Sequence, residues 1–460
     1  MNENQTSRDE TGLKRSVLLV TAFASFLTPF LGSAINLALP AIGNEFQTSA
    51  LELGWIVSSF ILTSAIFLLP FGRLADIAGR KKIFKYGIFL FSLSAFLIIF
   101  SWNTISLIAF RIIQGIAGAM IFGTSMAILT SVFEPGERGR AMGINTTAVY
   151  AGLSSGPVIG GLLTQHFGWR SIFILLVPLG IISLFLIYTR IKTEWSEAKG
   201  EKFDWTGSLI YGVSLASFML GFSRLPSAGG FAMIGTAILL GLVFIFYEKS
   251  IDNPVFDIRL MLRNRVFAFS GIAALIHYSA TSATGFFLSL YLQYLKGFDA
   301  RTAGLVLISQ PLMMALLSTF AGKLSDRYNP GIIASYGMAL TSSGLIMLCF
   351  INQNSPLLLI IILLAVMGIG FGLFASPNSN AIMSSVEKRH LGVASAVLGT
   401  MRMAGQMMSM GIAMMLLALY MGQQAIVPES YPGLMTGMRT GFIIFSILCI
   451  VGIFASLARK

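Results

Sequence analysis

Charge is scarce in this chain. Only 11% of its 460 residues are Asp, Glu, Lys or Arg, less than half the roughly 25% of an ordinary soluble domain, and a soluble globule is excluded. Acids are scarcer still, 19 against 31 bases, and none of them lies deep in an apolar run. The two cysteines, Cys349 and Cys449, sit inside apolar runs, so neither a disulfide framework nor a zinc site is readable. There is no HExxH helix, nucleophile elbow or metal cluster, which argues against an enzyme and leaves no cofactor to expect. The polar start from Met1 to Thr11 does not resemble a cleaved signal, and the first apolar run, preceded by Lys14 and Arg15, is expected to stay in the mature protein. The net charge of +12 would suggest nucleic acid in a soluble protein. Here basic loops beside a membrane account for it, and no nucleic-acid partner follows.

What is abundant is apolar length. Hydrophobic residues make up 55% of the chain, and runs of about 18 or more residues, enough for the ~30 Å hydrocarbon core, recur throughout. Spans are expected at 16–40, 53–71, 83–101, 104–130, 140–163, 171–189, 206–223, 229–247, 266–293, 302–321, 331–350, 356–377, 391–420 and 439–457. The fold class is therefore an all-α polytopic membrane protein with 14 transmembrane helices. An even number puts both termini on one side. That side carries 24 of the Lys and Arg residues, the other side carries five, and Arg111 and Arg402 fall within spans. Such a bias predicts cytoplasmic termini in a multi-pass protein of the cell membrane.

The chain repeats itself. Gly72-Arg73-Leu74-Ala75-Asp76 follows the second span, and Gly322-Lys323-Leu324-Ser325-Asp326-Arg327 follows the tenth, in the same relation to the preceding helix. Two six-helix halves separated by two inserted helices give this offset, and parallel six-helix halves are a transporter architecture with its site near the midplane. The expected organisation is a tail at 1–15, a six-helix bundle at 16–190, a linker with two inserted helices at 191–265 and a second six-helix bundle at 266–460.

Three segments carry chemistry. Gly72 to Lys82 (GRLADIAGRKK) should form a tight turn, with Gly72 and Gly79 permitting close approach and Asp76 available to a basic partner or a helix N-terminus. Charge alone would read it as a basic loop; the second copy argues for more. In the fourth span Arg111 is an intramembrane charge that costs roughly 2.5 to 3.5 kcal/mol to insert, so it should face a polar interior with Gln114, although a snorkelling arginine is the plainer reading. In the fifth span Gly152, Gly156 and Gly160 recur every four residues beside Pro157 and Gly161, forming a groove for a close helix contact and a bend.

These segments, with Gly143 completing the third, resemble the major facilitator superfamily and its fourteen-helix, QacA-like branch of drug:proton antiporters. The resemblance covers almost the whole chain. It implies the major facilitator fold and a secondary active transporter that exports amphipathic or small organic compounds by alternating access, with ion coupling. The loop motif departs at Ile77, where a basic residue is common. In the first span Leu31 stands where an acid is expected, while Asn36, Leu39 and Pro40 keep the pattern. Proton coupling would then fall to His277, to Asp76 or Asp326, or to the substrate's own proton.

The expected substrate pathway comprises Asn36, Arg111, Gln114, His277, Tyr278, Gln310, Arg402 and Gln406. Conformational switching is expected of Gly72, Asp76, Gly79, Arg80, Gly152, Gly156, Pro157, Gly160, Gly161, Gly322, Asp326 and Arg327. Arg402 and Gln406 lie one turn apart and share a face, and a lone His in a span is more often structural than a proton carrier. Gly368-Ile369-Gly370-Phe371-Gly372 lies in an apolar run with no preceding strand, and packing explains it better than a nucleotide. The expected partners are the lipid bilayer, a small-molecule substrate and protons, with the chain a monomer. Two rival readings are an exporter of one neutral or anionic metabolite and a non-transporting sensor or scaffold. The sensor would usually append a soluble domain, and no loop here exceeds about 25 residues.

Overall fold

The computed structural model describes residues 3–134, 137–252, 254–256, 258–386, 391–422 and 424–459, without the side chains of 3–11, 139, 260, 262, 263, 326, 391 and 392. Asn253 and the Asp326 side chain thus lie outside the described residues. The helices are α1 (Glu3–Phe46), α2 (Ala50–Ala78), α3 (Arg80–Ile99), α4 (Thr104–Val132), α5 (Arg138–Phe167), α6 (Arg170–Arg190), α7 (Trp205–Arg224), α8 (Ala228–Ser250) and α9 (Ile258–Arg263). They continue as α10 (Arg265–Thr281), α11 (Thr284–Leu290), α12 (Ala300–Leu307), α13 (Ser309–Arg327), α14 (Pro330–Leu348), α15 (Leu357–Ser384), α16 (Leu391–Met421) and α17 (Tyr431–Leu457). Short α9 aside, and with α10–α11 and α12–α13 each one broken span, fourteen spans result. Thirteen are long and apolar enough to cross a membrane. The other, α5, is diluted by its glycines and polar residues and lies among helices, against α1, α12 and α13.

The breaks have local causes. Pro311 has no N–H to give Leu307, and the helix yields just upstream, at Ile308. Between α10 and α11 the Ala283 N–H leaves the helical ladder for Ser409 Oγ of α16 at 2.9 Å. A π-turn at Tyr291–Leu295 then ends that span. Helix α1 starts at Glu3, well before the expected 16, and runs on through Pro29 and Pro40. Likewise α17 starts at Tyr431 and carries Arg439 inside the helix, where its guanidinium donates to Ile351 O at 2.8 and 3.0 Å.

Helices α1 to α6 pack into one bundle and α10 to α17 into another, while α7 and α8 form a hairpin that touches α2 and α16. Contacts between the bundles seal the side away from the termini. Cβ atoms added at Gly161 and Gly304 would lie 2.4 Å from Ala300 O and 2.1 Å from Pro157 O, so α5 and α12 touch backbone to backbone. Ser289 of α11 donates to Asn36 O, the Ala50 N–H to Gln424 O at 3.3 Å, and Ser58 Oγ to Met414 Sδ at 3.1 Å. Toward the termini the α2–α16 seam stays packed through Leu68 and Met403. On the α5–α13 seam Gly143, Thr146 and Thr147, which share the face of Tyr150 on α5, are exposed, and a Cβ added at Gly143 would meet nothing within 4 Å.

Candidate substrate site

Gly72 lies within α2 and Gly322 within α13, so the turn expected from Gly72 onward reduces to one residue, Gly79, and the second copy turns only after Arg327. Gly79 has φ +116°, a region L side chains rarely adopt, and a Cβ there would meet the Glu194 carboxyl at 2.6 Å. Its neighbours hold the chain that follows α6. Arg80 Nε pairs with Asp76 at 2.8 Å, and its Nη1 donates to Glu197 at 2.7 Å and Ser131 Oγ at 2.6 Å. The Lys81 N–H donates to Glu194 at 2.8 Å, the Arg80 N–H to Trp195 O at 2.8 Å and the Ala198 N–H to Asp76 O at 3.0 Å, while Arg73 pairs with Glu201. The segment from Glu194 to Glu201 is thus strapped across the α2–α3 turn. The sequence alone assigns these acids no role; their three- and four-residue spacing was the available signal. Around the second copy, Ser325 receives a hydrogen bond from Asn380 at 3.0 Å, and a Cβ at Gly322 would lie 2.9 Å from Ser376 Oγ.

The glycine groove of α5 seats a helix of its own bundle. Cβ atoms at Gly152, Gly156 and Gly160 would come within 2.5, 1.9 and 2.6 Å of Phe26 O, Ser33 Oγ and Ala34 Cβ, all on α1. Gly161 and Pro157 alone of this set meet the opposite bundle, through α12.

The eight pathway residues separate into five places. Arg111 is 1% exposed between α4 and α2, with Nε donating to Ile56 O at 3.0 Å, Nη1 to Gln114 Oε1 at 2.8 Å, and its guanidinium 4.5 Å from the Phe60 ring. Arg111 and Gln114 are thus brought together inside the first bundle. His277 is enclosed in the second, its ring 4.0 Å from Phe374 and 5.0 Å from Phe371, and neither ring nitrogen has a hydrogen-bond partner. Asn36 lies at the sealed inter-bundle contact, and the Gln310 backbone is pressed against Gly368 of α15, where a Cβ would meet it at 2.2 Å.

Tyr278 and Arg402 belong elsewhere. The Arg402 guanidinium is 6.0 Å from the Tyr278 ring, with Gln406 one turn further along α16. Tyr150 of α5 reaches them across the gap, its hydroxyl beside Ser318 of α13 and within electrostatic range of Tyr278 and Arg402. Sequence reading passed over Tyr150, a lone tyrosine among the glycines of α5. Four helices from both bundles therefore meet around an arginine, two phenols and a serine, on the seam that opens toward the termini. The arrangement can hold a flat polar ring by stacking and donate hydrogen bonds to an oxygen or an anion.

One pair of acids also escaped notice. Glu248, at the end of α8, is 1% exposed, and Asp204 caps α7 beside it. Glu248 Oε2 accepts from the Phe256 N–H at 3.1 Å and Asp204 Oδ1 from the Gly207 N–H at 2.9 Å, while Glu248 Oε1 and Asp204 Oδ2 find no other partner.

The sequence pattern of the Major Facilitator Superfamily matches residues 21–270 and 270–460. The chain belongs to that superfamily. It is a multi-pass membrane transporter, and relatives of several kinds accompany it. The riboflavin transporter RibZ of Clostridioides difficile (strain 630) is 31% identical over 386 residues, 84% of each chain. The methylenomycin A resistance protein of Bacillus subtilis (strain 168) is 29% identical over 89% of this chain and 88% of its own. The multidrug resistance protein Stp of Mycobacterium tuberculosis is 27% identical over 88% of this chain and 76% of its own. Among solved structures, a bacterial homolog of the human lysosomal transporter Spinster, inward-facing and unoccupied, superimposes with a TM-score of 0.71 over 97% of both chains at 16% identity. That likeness concerns the fold alone.

Proposed function

We propose that this transporter exports flat, polar aromatic compounds that are neutral or anionic, by alternating access between its two bundles. The observation that carries the reading is the meeting of Tyr150, Tyr278, Ser318 and Arg402 at the seam, drawn from both bundles and unaccompanied by a carboxylate among the described residues. An arginine there attracts anions and repels lipophilic cations. Relatives named for riboflavin transport and for methylenomycin A resistance are in keeping with such cargo. Purified protein in proteoliposomes should move riboflavin-like or acidic aromatic probes and leave ethidium untouched. Robust ethidium efflux would overturn the substrate class.

Proton coupling is part of the same proposal. Asp76 is ion-paired with Arg80 and the Asp326 side chain lies outside the described residues, so the proton is assigned to His277 or to the substrate itself. An imposed pH gradient should drive uptake into everted vesicles. His277→Gln should abolish the gradient dependence where the imidazole carries the proton and preserve it where the substrate does.

The orientation proposed from the Lys and Arg bias places both termini in the cytoplasm. In a background without Cys349 and Cys449, Asn44→Cys and Asn354→Cys should react with an impermeant maleimide on intact cells, and Lys192→Cys should not. Labelling of position 192 from outside would reverse the topology.

A further inference from the structure

Where α10, α14, α15 and α17 converge on the terminal side, Arg459 is folded inward and only 7% exposed. One of its nitrogens, Nη2, donates to Asn378 Oδ1 at 2.6 Å; Nε and Nη1 have no partner. Burial draws this guanidinium down to about 10, so it remains charged at neutral pH. A buried charge with two idle donors is costly unless something completes it. Beside it lies a cavity of about 220 Å³ lined by Arg459, Asn329, Gly331, Ser384 and Ser456. None of the described residues that line it is acidic. The nineteen-residue helix α14 starts at its wall, capped by Asn329, and a Cβ on Gly331 would sit 3.3 Å from Arg459 Cδ. Arg265 adds a second positive charge near the rim, held by its Nε to Ala458 O at 3.1 Å. The other side of the cavity is apolar and faces outward: Ile332 and Leu457 line it and are 42% and 47% exposed.

We propose that this cavity binds the phosphate of an acidic phospholipid from the leaflet on the terminal side. On binding, the Arg459 guanidinium, which lines the cavity, turns an unpartnered N–H onto a phosphate oxygen, and the positive end of α14 faces the same anion. The acyl chains run out over Ile332 and Leu457, and that exposed apolar rim is what selects a lipid over a soluble anion. Basic pockets between membrane helices are suited to such headgroups. By joining the ends of α14, α15 and α17, the lipid braces the second bundle on the side where the seam opens.

The test uses the full-length protein in a neutral detergent, titrated separately with short-chain phosphatidylglycerol, short-chain phosphatidylcholine and inorganic phosphate. Bound lipid is read by native mass spectrometry and stability by the melting temperature. The wild type should hold phosphatidylglycerol about fivefold more tightly than phosphatidylcholine, and inorganic phosphate should not raise its melting temperature. Arg459→Gln should lose the preference. Ser384→Glu, which puts a carboxylate on the exposed wall opposite the arginine, should also lose it while melting no lower than the wild type; this variant decides the matter if Arg459→Gln does not fold. A preference retained in both variants overturns the site. Protection by inorganic phosphate equal to that by phosphatidylglycerol overturns the lipid assignment.

Discussion

Gly79→Val should release the strap that crosses the α2–α3 turn. A side chain at φ +116° costs roughly 1–3 kcal/mol of backbone strain, and here its Cβ would also overlap the Glu194 carboxyl. The strap's own ion pairs are partly exposed, with 69% of the Glu197 side chain open to solvent, and surface pairs of that kind contribute little singly. The strap therefore depends on backbone hydrogen bonds and close fit, which valine disrupts together. Trypsin added to everted vesicles should cut at Lys192, Lys199 or Lys202 at least ten times faster in the variant, and turnover should fall by about tenfold with substrate affinity near wild type. Equal cleavage rates with unchanged turnover would show that the strap neither holds nor matters. Glu194→Ala separates the two causes, since it removes the carboxyl bonds and leaves the backbone unstrained.

Arg402→Gln should weaken transport of an acidic aromatic probe, by at least tenfold in apparent affinity, because the cation beside Tyr150, Tyr278 and Ser318 is lost while a polar group of similar reach remains. A neutral probe of the same shape should lose much less, since stacking on Tyr150 and Tyr278 survives. The ratio between the two probes is the informative quantity: a general folding defect lowers both alike. Unchanged transport of the acidic probe would make Arg402 a structural residue. Tyr150→Phe, which removes only the hydroxyl beside Ser318, should have a smaller effect on both probes.

The span count was legible because hydrophobic length and the alternation of basic loops constrain each other; the fourteen observed spans and the expected ones differ mainly at their ends. The groove at Gly152, Gly156 and Gly160 was legible as a close contact, but which helix would fill it was not, because spacing on one helix carries no information about its partner. Pro311 held the signal for one helix break. The break before Thr284 depends on Ser409, more than a hundred residues away, and no local pattern marks it. The strap was missed for the same reason: Glu197 is paired with Arg80 across 117 positions. Pathway residues were selected by polarity within spans, which gathers Arg111, His277 and Arg402 into one set. Packing then divides them, two enclosed within separate bundles and one at the seam, and Tyr150 joins only through the tertiary fold.

The α7–α8 hairpin has a consequence for how a lipophilic compound enters. Tyr211 of α7 donates to Ala65 O of α2 at 3.1 Å, and Phe222 and Met219 cover Gly411 of α16. The hairpin thus lies along one of the two clefts between the bundles like a plank over a gap, and α2 and α16 are packed behind it. Among the described residues no such hairpin lies along the cleft between α5 and α13. A molecule approaching from the lipid therefore meets the hairpin on one flank and α5 and α13 themselves on the other. The inserted pair thus makes the two flanks of the transporter unlike, where two bundles without it would present similar ones.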